Sequence, residues 1–329
     1  YKNVVSNGLV LDKEGKKMSK RLGNAADPFE TMDTHGPDAT RWYMISNANP
    51  WDNLKFDIEG IAEVKRKFFG TLYNTYSFFA LYANIDNFDY SEADVPLSER
   101  PEIDQWILSE LHSLIQTVDD AFATYEPTKA ARAISNFVQE NLSNWYVRLC
   151  RRRFWKGEYE QDKISAYQTL YTCLETVAKL SAPIAPFFMD RLYKDLINTT
   201  QKEKAESVHL ANFPVFNASI VKKSLESKME KAQIISSLVL SIRQKEKIKV
   251  RQPSISCSLR ISIRSLRFQH KDLAYDDIAI NQQFCRNANF NINRLRRRAS
   301  SSTRSNGRGF WCHSHCCLGD AWQAQFYLN

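Results

Sequence analysis

The sequence contains no run of 18 uncharged apolar residues, so no membrane-spanning helix is expected. No secretory signal pattern opens it. The first residue is Tyr1 rather than Met, and the first motif begins by residue 13. Both features lead to the expectation of a piece of a longer protein. Cysteine is scarce in the first 250 residues, where only Cys150 and Cys173 occur, which fits a reducing, cytoplasmic setting. After residue 250 glutamate is absent and lysine is reduced to Lys271, against eleven arginines. What the chain does have is 329 residues, 43% hydrophobic and 12% aromatic, enough for a packed core and for two or three folding units.

The net charge of +8 is not a property of the whole chain. Residues 1–250 hold 33 basic and 33 acidic residues and are neutral, while residues 251–329 hold 12 and 4. Five of the seven cysteines also lie after residue 250. A composition break this sharp marks a boundary. Within the tail, Cys312, His313, His315, Cys316 and Cys317 could suggest zinc. They crowd into six residues without the paired spacing of a tetrahedral site, so a metal is not supported. The loss of glutamate and the exchange of lysine for arginine fit translation in a shifted frame from about residue 254, and the tail is expected to be poorly ordered. A tail that reads through in one frame, folds and binds RNA by itself would contradict this.

The densest chemistry lies near the start. Lys13, Lys16, Lys17, Lys20 and Arg21 fall within nine residues, punctuated by Gly8, Gly15 and Gly23, which reads as a loop able to move. Ammonium groups on such a loop suit a reaction in which negative charge builds on phosphates. A solvated basic surface loop is the plain alternative. Asp27-Pro28-Phe29-Glu30 then predicts a helix start, with Asp27 as cap and Pro28 at the first helical position. Apolar residues at three- and four-residue steps predict a long helix over residues 57–83. Residues 84–100 are acidic and proline-marked and read as a linker. More helices come after it. One begins at Pro127, with Phe137, Val138, Leu142, Trp145 and Leu149 on its inner face. Another runs from about 219 to 247. Pro183 and Pro186 bracket a break between two of them. Short connections between such helices imply a bundle.

Arg148, Arg151, Arg152 and Arg153 are interleaved with Tyr146, Phe154 and Trp155. Guanidinium groups bind phosphates in bidentate fashion and aromatic rings stack on unpaired bases, so the cluster suits RNA. Equally, it could be a helix end satisfied by its dipole and by Glu158 and Glu160.

Lys17-Met18-Ser19-Lys20 resembles the second signature loop of class I aminoacyl-tRNA synthetases, with Arg21 where the family has serine. Gly36-Pro37-Asp38, Arg41-Trp42-Tyr43 and Pro50-Trp51 together resemble the family's segment just C-terminal to that loop. Asn144-Trp145-Tyr146-Val147-Arg148 with Arg151-Arg152-Arg153-Phe154-Trp155 is similar to the isoleucine members. So are Ala182 to Phe188, Ser207-Val208-His209-Leu210 and Lys249-Val250-Arg251-Gln252-Pro253. The resemblance extends to about residue 253.

It implies a mainly α fold. Residues 1–56 would be the end of a catalytic domain with its signature loop and stem-contact segment, 57–100 a connecting helix and linker, and 101–216 an anticodon-binding helix bundle. Residues 217–253 would form a C-terminal helix and 254–329 an aberrant tail. Lys20 and Lys17 would stabilise ATP, supplied with Mg2+, while Met18 and Ser19 shape the loop. Arg148, Arg151, Arg152, Arg153 and Trp155 would contact tRNA(Ile). The enzyme would be a monomeric, cytoplasmic ligase of isoleucine. The family's other signature, His-Ile-Gly-His, and the amino acid pocket precede this loop, so the chain alone is expected to be inactive. The alternatives are a valine or leucine enzyme, a non-catalytic RNA-binding module and a purely structural helical protein.

Overall fold

The computed structural model describes residues 2–156 and 158–250. The expectations for the tail, its zinc cluster included, lie outside the described residues. The described residues fall into two units that divide after Lys231.

The first unit opens on a parallel pair, β1 (Val10–Leu11) beside β2 (Leu54–Lys55), in register Val10 to Leu54. Gly8 precedes β1 because nothing larger fits: a Cβ there would lie 2.1 Å from the Asp52 carbonyl oxygen. Between the strands lie α1 (Pro28–His35) and α2 (Pro37–Asn47). The predicted start of α1 is as the sequence implies. Asp27 accepts the N–H groups of Phe29 (2.8 Å) and Glu30 (3.2 Å), and Pro28 takes the first helical position.

Next comes α3 (Ile58–Val64), which runs through a π-helical segment, Lys65–Phe69, into α4 (Gly70–Asp86). The segment read as a linker is instead a strap on the core. Phe88, Tyr90 and Val95 are buried, Phe88 stacks on Tyr167 at 4.8 Å, and the Val95 N–H donates to Gln168 (2.9 Å). Asp89, Asp94 and Glu99 are exposed, while Phe88, Tyr90 and Val95 carry the packing.

The bundle comprises α5 (Glu102–Ala123), α6 (Pro127–Asn136), α7 (Arg148–Trp155), α8 (Gln161–Ser181) and α9 (Pro186–Thr200). A second π-helical segment, Phe137–Val147, joins α6 to α7. It corrects the predicted inner face. In place of Trp145 and Leu149, both only half-buried, the core takes Tyr146, Cys150 and Phe154. The i→i+5 bonding of π turns is wider, so residues four apart stay on one side, and the 3.6-residue stripe is lost. The predicted break between α8 and α9 is present, with Pro186 opening the second.

Helix α2 is tied to the bundle by charged and polar side chains. Arg41 donates to the carbonyls of Ile184 (2.8 Å) and Pro183 (3.3 Å), and Asp38 accepts the Phe188 N–H (2.6 Å) near the start of α9. Arg132 and Thr128 of α6 cover the last carbonyls of α2: Arg132 donates to Ser46 and Asn47 (both 2.8 Å), Thr128 to Ile45 (2.7 Å) and Ala48 (2.9 Å). Helix α10 (Lys223–Lys245) starts in the first unit and ends in the second. Its Glu226 accepts from Ser109 (2.6 Å) and Ser113 (2.8 Å) of α5.

Beside this contact lies a half-buried carboxyl. Glu110 accepts from Trp106 Nε1 (3.2 Å) and Asn141 Nδ2 (3.3 Å), and burial, reinforced by the Glu226 charge, lifts its pKa to about 7. The fold therefore favours the protonated form. This contribution to stability is complete below the unfolded value near 4.5 and is lost as pH rises through about 7. Glu110→Gln should leave stability unchanged near pH 4 and raise it by roughly 1–2 kcal/mol near pH 8. Urea midpoints at the two pH values measure this; equal effects at both would contradict it.

Candidate functional site

The basic loop is braced from within by a pair of residues that carry no signal in the charge pattern. Asp12, directly after β1, accepts the N–H groups of Glu14 (3.0 Å) and Lys16 (2.7 Å) on Oδ1. Gly15, at φ 86°, closes the turn by donating to the Asp12 carbonyl (2.9 Å). Asn24 then ties the far end of the loop to its beginning. Its amide nitrogen donates to Asp12 Oδ2 (2.9 Å) and to the Lys17 carbonyl (3.3 Å), and its Oδ1 accepts the Ser19 N–H (2.9 Å). The Asn24 amide, followed by the Lys16 N–H, holds the Asp12 carboxyl below the usual aspartate range. The available signal was an Asx turn before Gly15 and an asparagine just past Gly23.

Within this frame Ser19 Oγ accepts the Arg21 N–H (3.2 Å) and starts a single 3-10 turn, Lys20–Leu22, which Gly23 ends at φ 67°. Met18 and Ser19 are half-buried, and Lys17 and Lys20 are exposed on either side of them. Lys16 pairs with Glu14 (2.7 Å), whereas Lys17 and Lys20 have no ion-pair partner among the described residues. The arrangement presents two unneutralised ammonium groups on a backbone held in place, which suits binding of polyphosphate.

The second patch is on α7. Arg148, Arg151, Arg152 and Trp155 are exposed, Trp155 by 60%. They stand at i, i+3, i+4 and i+7, which places them on one helical face. Cys150 and Phe154 fix the opposite face in the core, with Phe154 edge-on to Phe78 (5.2 Å) and Tyr167 (5.0 Å). Arg153 parts company with the other arginines. Its side chain is 15% exposed and turned inward, donating to both oxygens of the fully buried Asp104 (2.6 and 2.9 Å), to Asp162 and to Ser165. The sequence grouped four arginines; the fold presents three and holds the fourth.

Residues 1–57 match the family described as tRNA synthetases class I (I, L, M and V), and residues 104–261 match the anticodon-binding domain of tRNA ligase. The isoleucine–tRNA ligase of Bacteroides fragilis (strain YCH46) is 67% identical over 253 residues, which is 77% of this chain and 22% of that protein. That of Cytophaga hutchinsonii is 66% identical over the same length, 23% of the protein. The chain belongs to the isoleucyl-tRNA synthetase family. It is similar at greater distance to the ligase of Dehalococcoides mccartyi (strain CBDB1), at 46% identity over 253 residues and 25% of that protein.

The chain thus spans about a quarter or less of the length of these relatives. Both patches fall inside matched regions of the family, the loop in the synthetase match and α7 in the anticodon-binding match. Class I tRNA synthetases use ATP. Among the described residues no helix is long and apolar enough to cross a membrane, and no group of three His, Cys, Asp or Glu side chains could hold a metal ion.

Proposed function

We propose that this chain is the part of an isoleucine–tRNA ligase that supplies the ATP-stabilising loop and the anticodon-binding bundle. The whole enzyme would be a cytoplasmic monomer acting on isoleucine, ATP with Mg2+ and tRNA(Ile). The observation that carries the reading is the pair of ammonium groups of Lys17 and Lys20, without ion-pair partners among the described residues, on a braced loop inside a segment 67% identical to such a ligase. In the first step the isoleucine carboxylate attacks the α-phosphate of ATP, the bond to pyrophosphate breaks, and charge grows on the departing phosphates. Lys20, with Lys17 beside it, meets that charge without having to abandon another partner. In the second step the acyl group passes from AMP to a hydroxyl of the tRNA's terminal ribose. The division at residues 56, 100, 216 and 253 belongs to the same proposal.

The tRNA side of the reading rests on α7, where Arg148, Arg151 and Arg152 meet phosphate and Trp155 stacks on a base. Three phosphate contacts to single-stranded RNA imply a salt slope of about 2. The triple change R148A/R151A/R152A should therefore weaken tRNA(Ile) binding by roughly 10- to 100-fold near 0.1 M salt and flatten the slope by about 2. Filter binding across a salt series tests this. An unaltered slope would remove α7 from the tRNA interface.

A further inference from the structure

We infer that Asp104 and Arg153 are positioning residues for tRNA, a pair that aims the outer face of α7 without touching the ligand. The inference rests on the assignment of α7 to tRNA contact. Asp104 sits in the first turn of α5 with no exposed surface and accepts four hydrogen bonds from three other elements. Tyr146 Oη donates at 2.9 Å from the π-helical segment, Arg153 donates twice from α7, and Ser165 Oγ donates at 3.0 Å from α8. Arg153 reaches onward to the Asp162 side chain (3.0 Å) and carbonyl (2.7 Å), at the start of α8. One fork-shaped guanidinium therefore locks the last turn of α7 to the starts of α5 and α8.

The lock has a geometric consequence. Arg153 lies directly between Arg152 and Phe154, and its neighbours Arg152 and Trp155 are exposed. Fixing its side chain fixes the rotation of α7 about its axis, and with it the direction in which Arg148, Arg151, Arg152 and Trp155 point. The π-helical segment just upstream offsets the phase of α7 from that of α6, and Arg153 holds α7 at that offset together with the buried Cys150 and Phe154. The strap is drawn to the same place: Arg100 donates to Thr169 (2.8 Å) and Gln168 (3.3 Å) on α8.

The experiment is tRNA(Ile) binding by the whole chain carrying Asp104→Asn, measured over a salt series with circular dichroism as a check on folding. Asparagine keeps the shape but loses the bidentate, charged hold on Arg153. Positioning predicts at least tenfold weaker binding and a smaller salt slope in a folded protein, because three aligned arginines lose register together. If Arg153 is itself a tRNA contact, releasing it from Asp104 should instead tighten binding and steepen the slope, which would overturn the inference. So would an unchanged affinity. Where D104N does not fold, Arg153→Lys keeps a positive charge beside Asp104 but loses the two-pronged hold; positioning predicts weaker binding with a smaller slope, and an unchanged affinity would overturn the inference. R148A/R151A/R152A separates the two levels. If that variant binds like the parent, the assignment of α7 falls and this inference falls with it. If it weakens binding while folded D104N does not, only the positioning role is lost.

Discussion

Lys20→Ala, placed in a full-length isoleucine–tRNA ligase carrying this segment, should lower isoleucine-dependent ATP–pyrophosphate exchange by about 10²- to 10³-fold, or about 3–4 kcal/mol of transition-state stabilisation. The loss should fall mainly on kcat, because charge on the departing phosphates grows in the transition state, with a smaller rise in the KM for ATP, whose phosphates are already anionic. Stability should not change. Lys20 is exposed and has no ion-pair partner among the described residues, and the loop's shape is set by Asp12, Ser19 and Asn24. Lys16→Ala is the matched control. It removes an equal charge from the same loop, but one already paired with Glu14 at the surface, and should cost less than threefold. Equal effects of the two changes would reduce the loop to a general basic patch. Unchanged exchange by Lys20→Ala would remove it from the chemistry.

The contrast between Lys20 and Lys16 is not visible in the sequence, where both are lysines in one run. What is visible there is local. Asp27 and Pro28 announce a helix start because capping depends on residues within one turn, and Pro183 and Pro186 announce a break for the same reason. What is hidden depends on residues far apart. Arg153 looks like its three neighbours because its partner Asp104 lies 49 positions away. Residues 84–100 look like a linker because the side chains they pack on, Tyr167 and Tyr171, belong to α8. The inner face of the helix after Pro127 is displaced because periodicity reasoning assumes α-helical turns, and an eleven-residue π-helical segment breaks that assumption. The brace of Asp12 and Asn24 is within reach of the sequence, twelve residues apart across two marked turns, but the charges between them draw the eye away from it.

Trp42→Ala should be among the most damaging single changes to stability, costing about 3–5 kcal/mol. The indole is 1% exposed and stacks on Phe68 at 4.1 Å, with Phe69 edge-on at 6.0 Å. Its Nε1 donates to Ser135 Oγ on α6 at 3.1 Å, so the same side chain binds α2 to the π-helical segment Lys65–Phe69 and to the bundle. Truncation would also open into a neighbouring cleft of about 400 Å³, lined by Trp42, Asn47, Asp57, Glu63, Lys67 and Gln139, so water can enter where packing is lost. Trp42→Phe keeps the stack but not the donor and should cost about 1–2 kcal/mol, near the value of one hydrogen bond plus a small void. Adding Ser135→Ala to Trp42→Phe should then cost little more, because the hydroxyl has already lost its donor. Urea unfolding of the parent, Trp42→Phe, Ser135→Ala and the double change supplies the cycle. A Trp42→Ala cost below about 1 kcal/mol would mean that α2 does not depend on this packing. A cost near 4 kcal/mol with a single sharp transition would mean that α2 and the bundle melt together, so that the frame carrying Lys17 and Lys20 is as stable as the bundle.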